Sequence, residues 1–176
     1  GMTFLRITDD GCGMAPDDAR TAFLRHATSK IRKKEDLACI GTLGFRGEAL
    51  AAISAVSKID LLTRAQGAAD GVRLHLEAGK VLSEEPAGCP CGTTILVREL
   101  FYNTPARMKF MKSDAAEASA VFSVVQQQAL AHPEISFRFL KDGQEQLHTD
   151  GQGDRMAAIY AIYGRELANN MLSVDG

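Results

Sequence analysis

No apolar run in these 176 residues approaches the roughly 18 needed to cross a bilayer, so no membrane-spanning helix is expected. Residues 1–7 are too few and too mixed for a secretory leader. An excess of positive charge is also lacking: 20 Lys and Arg against 22 Asp and Glu give a formal net charge of −2. A general coat for nucleic acid is normally basic, so any such contact must come from a local patch. Cysteine is sparse and badly spaced for metal. Cys12, Cys39, Cys89 and Cys91 include no C-x-x-C pair, and no histidine lies near Cys89-Pro90-Cys91 in sequence. Free thiols of a reducing compartment are the expectation. No repeat or low-complexity tract occurs. What remains is ordinary globular chemistry, 45% hydrophobic and 24% charged, enough for one cored domain and the start of a second. Gly1 before Met2 reads as a scar of tag removal.

Thr3 to Ile7 reads as a short strand running into the turn cluster Asp9-Asp10-Gly11-Cys12-Gly13-Met14. Pro16, with Asp17 and Asp18 behind it, opens a helix whose face carries Ala19, Ala22, Phe23, His26 and Ala27. The basic run around Lys30 to Lys34 reads as a solvated loop. Gly41 to Gly47 is punctuated by glycine, and Glu48 to Ser57 is apolar nearly all round, which predicts a buried helix. Strands are expected over 58–64, 72–76 and 93–97 and at Val81-Leu82, then an irregular loop over 101–110. A helix over 114–131 stops at Pro133. Ile135, Phe137 and Phe139 alternate as a strand, and Asp142-Gly143 turns a hairpin into Gln146 to Thr149. Gly151 to Gly153 reads as a linker before a last helix, Arg155 to Tyr163, closed by Gly164. The fold class is α+β, a mostly antiparallel sheet with helices on one face.

Four stretches could carry chemistry. Asp9-x-Gly11-x-Gly13 puts a carboxylate at a strand end, where it can accept from the amine of a flat ring that glycines let approach the backbone. A tight turn explains the same residues. Gly44-Phe45-Arg46-Gly47-Glu48 places free backbone N–H groups at a helix start, a phosphate site by geometry and dipole, or an ordinary flexible loop. It is neither a P-loop nor a dinucleotide fingerprint. Gly92-Thr93-Thr94 offers hydroxyls that could support the Asp9 carboxylate, or simply favours a strand. Phe101 to Arg107, with Lys109 and Lys112, could touch DNA phosphates or pack as a loop with solvated cations. His26 fits a structural role, and no Ser-His-Asp or metal-ligand set is apparent, so no catalytic and no metal-ligating residue is assigned.

These motifs occur together and in order: D-D-G-C-G-M at 9–14, R-H-A-T-S-K at 25–30, L-G-F-R-G-E-A-L at 43–50, G-T-T at 92–94 and F-Y-N-T-P-A-R at 101–107. The combination resembles the MutL family of DNA mismatch-repair proteins, within the GHKL superfamily of gyrase B subunits, heat-shock chaperones and histidine kinases. The likeness runs from about Phe4 to the C-terminus. It implies a GHKL (Bergerat-type) ATP-binding fold, a two-layer sandwich, over residues 1–150, with 151–176 opening a second, transducer-like domain. It implies ATP or ADP with Mg2+ as cofactors. Asp9 then corresponds to the adenine-binding aspartate, with Gly11 and Gly13 shaping the pocket floor, Met14 among the nucleotide-binding residues, and Thr93 or Thr94 supporting the carboxylate. Thr28 to Gly47, including Ser29 and Lys30, corresponds to a mobile lid. Gly44, Phe45, Arg46, Gly47, Glu48, Ala49 and Leu50 correspond to the phosphate-binding segment.

The resemblance also implies partners: a MutS-like mismatch-recognition protein, a downstream repair nuclease or helicase, DNA held weakly, and a homodimer. It implies a bacterial, cytoplasmic, nucleoid-associated protein. In the family a helix before the D-x-G-x-G turn carries a glutamate general base and a magnesium-binding asparagine. Only eight residues precede Asp9 here, so the expectation is a domain lacking that opening segment. Loss of a general base typically costs about 10²–10⁴ in rate, so ATP turnover by these residues alone is expected to be negligible. Exposed apolar surface and self-association are expected with it. The alternatives are a folded scaffold that binds no nucleotide, or another GHKL ATPase; the 101–107 string favours the repair branch.

Overall fold

The computed structural model describes residues 3–24 and 47–171. The calls on His26, the basic run, Cys39 and the segment Gly44–Arg46 lie outside them. Two compact units emerge, residues 1–111 and 112–176.

In the first unit, β1 (Phe4–Asp9) is followed by α1 (Pro16–Thr21) and α2 (Ala49–Ser54), then β2 (Lys58–Arg64), β3 (Gly71–Glu77), β4 (Lys80–Ala87), β5 (Gly92–Arg98) and α3 (Pro105–Met108). The strands form one antiparallel sheet in the order β1-β5-β2-β3-β4. Period-two alternation sorts its faces. Ile59, Leu61, Leu74 and Leu76 are wholly buried on one face, each contributing about 1.5–3 kcal/mol by burial. The same cluster takes in Ala19 and Phe23 from the α1 segment and packs against Leu50 and Ile53 of α2. Helices therefore cover that face, and the α+β sandwich expected from the sequence is found.

α1 opens as the sequence indicates, with Pro16 at its first position and Asp17 and Asp18 in its first turn. Arg20 ties it to the sheet through an ion pair with Glu84 of β4. β4 is exposed along nearly its whole length. Its charges and Pro86 suit an edge strand, since they discourage pairing with another chain.

α2 departs from expectation. It was expected to be buried all round, yet Ala49 and Ala52 are exposed and Ser54 is its only buried residue. Alanine favours helix because it loses no side-chain entropy, not because it needs burial. Counting alanines as core overstated the apolar face, which is Leu50 and Ile53. The C-terminal carbonyls of this helix are satisfied from outside. Gly79 N–H donates to Ser54 O at 2.8 Å, Phe101 N–H to Val56 O at 2.7 Å, and Asn103 Nδ2 to Ala55 O at 2.9 Å. Two residues of the F-Y-N-T-P-A-R string thus hold the end of α2. That stretch also contains the short helix α3, where a loop was expected, with Pro105 opening it.

The other sheet face is polar. Asp60, with a side chain 7% exposed, meets Arg98, Arg73 and His75. Burial pushes its carboxyl up, but hydrogen bonds from His75 and Arg98, the Arg98 charge and Arg73 outweigh that and hold it below the usual carboxylate value.

In the second unit, α4 (Asp114–Ala131) is capped by Ser113, which accepts from Ala116 N–H, and ends before Pro133. β6 (Arg138–Lys141) and β7 (Gln144–His148) form the expected hairpin, with Asp142 at φ 51° and Gly143 at φ 79°. The ladder starts later than the 135–139 alternation suggests, because Thr149 bridges the approach. Its hydroxyl accepts from Phe137 N–H at 2.9 Å, and its carbonyl accepts from Ser136 Oγ at 2.7 Å. Phe122 of α4 packs on Phe139, with ring centroids 5.4 Å apart. α5 (Arg155–Tyr163) ends at Gly164, as expected, and α6 (Arg165–Asn169) follows.

Asp60→Asn is expected to lower unfolding stability at pH 7 by about 1–3 kcal/mol, the worth of charge-assisted hydrogen bonds. A carboxyl lowered on folding stabilises above its unfolded value and loses that stabilisation as pH falls through the folded one. Denaturant titrations carried from pH 7 to well below about pH 4 should show wild type converging on the variant only once the pH falls below the unfolded carboxylate value; parallel curves over that lower range would contradict this.

Candidate adenine-nucleotide site

β1 ends at Asp9. The antiparallel register sets Asp9 opposite Thr93 of β5, and Thr93 opposite Thr63 of β2. Directly opposed residues point to the same face, so the three side chains stand in a row on the helix-covered side. Asp9 Oδ1 accepts from Gly11 N–H at 3.0 Å, folding the carboxylate back over its own turn. The second carboxylate oxygen has no recorded partner among the described residues.

The turn is pressed onto the sheet at two glycines. Gly13 has φ +64°, and a Cβ there would lie 1.9 Å from Arg64 O. Gly92 has φ +114°, and a Cβ there would lie 2.2 Å from Asp9 O. Three hydrogen bonds fasten the contact: Met14 N–H to Thr63 Oγ1 at 3.0 Å, Gln66 N–H to Cys12 O at 2.9 Å, and Cys91 Sγ to Gly11 O at 3.4 Å. The result is a carboxylate at the surface, a glycine backbone beside it, and a rigid floor of sheet beneath.

The structure sorts the site residues expected from the sequence. Asp9, Gly11, Gly13, Met14 and Thr93 lie together. Thr94 points to the opposite face, where its hydroxyl pairs with that of Thr8 at 3.1 Å. The hydroxyl of Thr93 pairs with Thr63 at 3.1 Å, so the support passes along the row and not directly to Asp9. Thr28, Ser29, Lys30, Gly44, Phe45 and Arg46 lie outside the described residues. Gly47, at φ +63°, precedes Glu48, the N-cap of α2, and Ala49 and Leu50 open that helix. No side chain caps it, and Ala52 N–H bonds to Glu48 O at 2.8 Å, so the amides of Ala49, Leu50 and Ala51 belong to the helix's first turn, which has no intrahelical acceptors.

Thr63 was missed by sequence reasoning. A signal existed: it has the parity of Ile59 and Leu61, so a hydroxyl stands at a core position. Among the described residues no group of three His, Cys, Asp or Glu is placed to hold a metal, and no helix is long and apolar enough to cross a membrane.

The family model of histidine kinase-, DNA gyrase B- and HSP90-like ATPases matches residues 2–87, which include the Asp9 turn and β2 to β4. Fold and site therefore define a domain of that ATPase class. The chain is 49% identical over 174 residues to the DNA mismatch repair protein MutL of Agathobacter rectalis, and 50% identical over 176 residues to that of Symbiobacterium thermophilum. These matches cover 99% of the chain but only 27% and 28% of those relatives. The Aquifex aeolicus MutL ATPase domain complexed with ADP superposes with a TM-score of 0.71 at 28% identity, covering 92% of this chain and 57% of that one. The N-terminal domain of a DNA repair protein superposes with a TM-score of 0.72 at 29% identity, covering 93% and 49%. The chain belongs to the MutL family.

Gly13→Ala and Gly92→Ala are each expected to cost at least about 2 kcal/mol, because the new methyl meets backbone. Gly67→Ala, at φ +80° with nothing within 4 Å, serves as control and should cost only about 1–2 kcal/mol. Thermal melts of the three variants check the order.

Proposed function

We propose that this domain binds an adenine nucleotide at the Asp9 turn and that the protein it serves uses nucleotide state to drive DNA mismatch repair. The observation that carries this is the row Asp9–Thr93–Thr63 beside a glycine backbone, in a chain similar to a MutL domain that holds ADP. A carboxylate accepting from an exocyclic amine contributes about 1.5–3 kcal/mol. Gly11 and Gly13 leave room for a ring to lie against the turn. The amides at the start of α2, with Gly44 to Gly47 before them, face the phosphates. Residues 28–47 close over the nucleotide as a lid, and Mg2+ accompanies the phosphates. Residues 151–176 are assigned to the start of a second domain, a functional division that falls within the compact unit 112–176.

Nucleotide binding orders the lid, and the ordered lid changes contacts with partners: a MutS-like recognition protein and a downstream nuclease or helicase, at the nucleoid. DNA contact falls to exposed cations such as Arg107 and Lys109, because the domain as a whole is not basic.

Calorimetric titration with ADP and a non-hydrolysable ATP analogue, with and without magnesium, tests the reading. Binding should weaken about 10- to 100-fold in Asp9→Asn, which keeps the shape and removes the charge. Equal affinity in that variant would place the adenine elsewhere, and no binding by the unmodified chain would reject the site.

A further inference from the structure

Thr63 is fully buried, and its hydroxyl has three partners. It lies 3.0 Å from Met14 N, 3.0 Å from Gly92 O and 3.1 Å from Thr93 Oγ1. A threonine hydroxyl owns one proton and two lone pairs. The carbonyl of Gly92 can only accept, so it takes the Thr63 proton. The amide of Met14 can only donate, so it takes one lone pair. The remaining lone pair must meet a proton, and Thr93 is the group that supplies it. The direction of the Thr63–Thr93 hydrogen bond, ambiguous from distance alone, is therefore fixed by the two backbone groups.

The consequence falls on Thr93. With its proton committed to Thr63, its oxygen presents only lone pairs to the rest of its surroundings. On the same face, directly across the strand pair, stands Asp9, whose carboxylate is also acceptor-only when ionised. We infer that Thr63 is a specificity-positioning residue. By orienting the Thr93 hydroxyl it makes the base-facing side of the site a double acceptor, selecting a purine that bears an amino group and rejecting one that bears a keto oxygen. This rests on the adenine-nucleotide reading of the Asp9 turn. A keto oxygen set against two acceptors meets repulsion and finds no donor, which is discrimination by an unfavourable contact as well as by a favourable one. Without Thr63 the Thr93 hydroxyl rotates freely and donates to a keto group as readily as it accepts from an amine. The same hydroxyl also holds Met14 N–H, so floor and specificity share one atom.

Titrations of the chain with ADP and with inosine diphosphate, which carries a keto oxygen where adenine carries its amine, test this. In Thr63→Val the preference for ADP should fall about tenfold, the worth of one hydrogen bond, while Thr63→Ser, which restores the hydroxyl, stays within about twofold of the unmodified ratio. A role in packing alone weakens both nucleotides and leaves the ratio unchanged. Should Thr63→Val fail to fold, Thr93→Val removes the oriented acceptor from a half-buried position and should show the same fall. ADP binding with an unaltered ratio in the valine variants that fold overturns the inference alone. Loss of discrimination in Asp9→Asn with none in Thr63→Val also overturns it, and leaves the nucleotide reading intact. Absence of ADP binding by the unmodified chain overturns the nucleotide reading and this inference with it.

Discussion

The register that sets β1 against β5 and β5 against β2 is the constraint on which the site depends. A slip of one residue would turn Asp9, Thr93 and Thr63 to the opposite face and bring Thr8 and Thr94 in their place. Hydrophobic burial prevents the slip. Ile59 and Leu61 share the parity of Thr63, Leu5 that of Asp9, and Ile95 and Val97 that of Thr93. To move the polar row, the chain would have to expose the core beneath it. Site geometry and fold stability are therefore set by the same alternation.

Glycine and threonine divide the work of joining turn to sheet. Gly13 and Gly92 let the two backbones touch where any side chain would strike a carbonyl. Thr63 fastens the contact with a buried hydroxyl that uses all of its hydrogen-bonding capacity. A buried polar group of this kind is tolerated only when fully satisfied, and satisfaction is what makes it directional. The opposite sheet face is held differently, by a buried carboxylate among partly exposed cations around Asp60. The first arrangement fixes atoms; the second fixes charge.

The far end of α2 is secured with equal care. Asn103, Phe101 and the β3–β4 turn supply donors to the carbonyls of Ala55, Val56 and Ser54 at and just past its end. A helix held at its C-terminal end leaves its first turn, with the amides after Gly47, at a defined place relative to the sheet. This gives the F-Y-N-T-P-A-R string a physical role in the fold, since two of its seven residues bond to that helix end.

Much was legible without tertiary structure. Period-two runs of isoleucine, leucine and valine determined the strands, Pro16 a helix start, Pro133 a helix stop, Asp142-Gly143 the hairpin, and D-x-G-x-G the turn, because each is a local preference of the backbone. Alanine-rich composition misled over α2, where helix propensity resembles a demand for burial. Threonine was the other blind spot. Thr93 and Thr94 are adjacent and alike in sequence, and only the pleat sends one to the row and the other to Thr8. Thr63 stands 54 residues after Asp9, so nothing local links them. The order of residues determined which backbone shapes were available. The pairing of distant strands decided which hydroxyl meets which, because hydrogen-bond direction depends on neighbours that only the folded chain brings together.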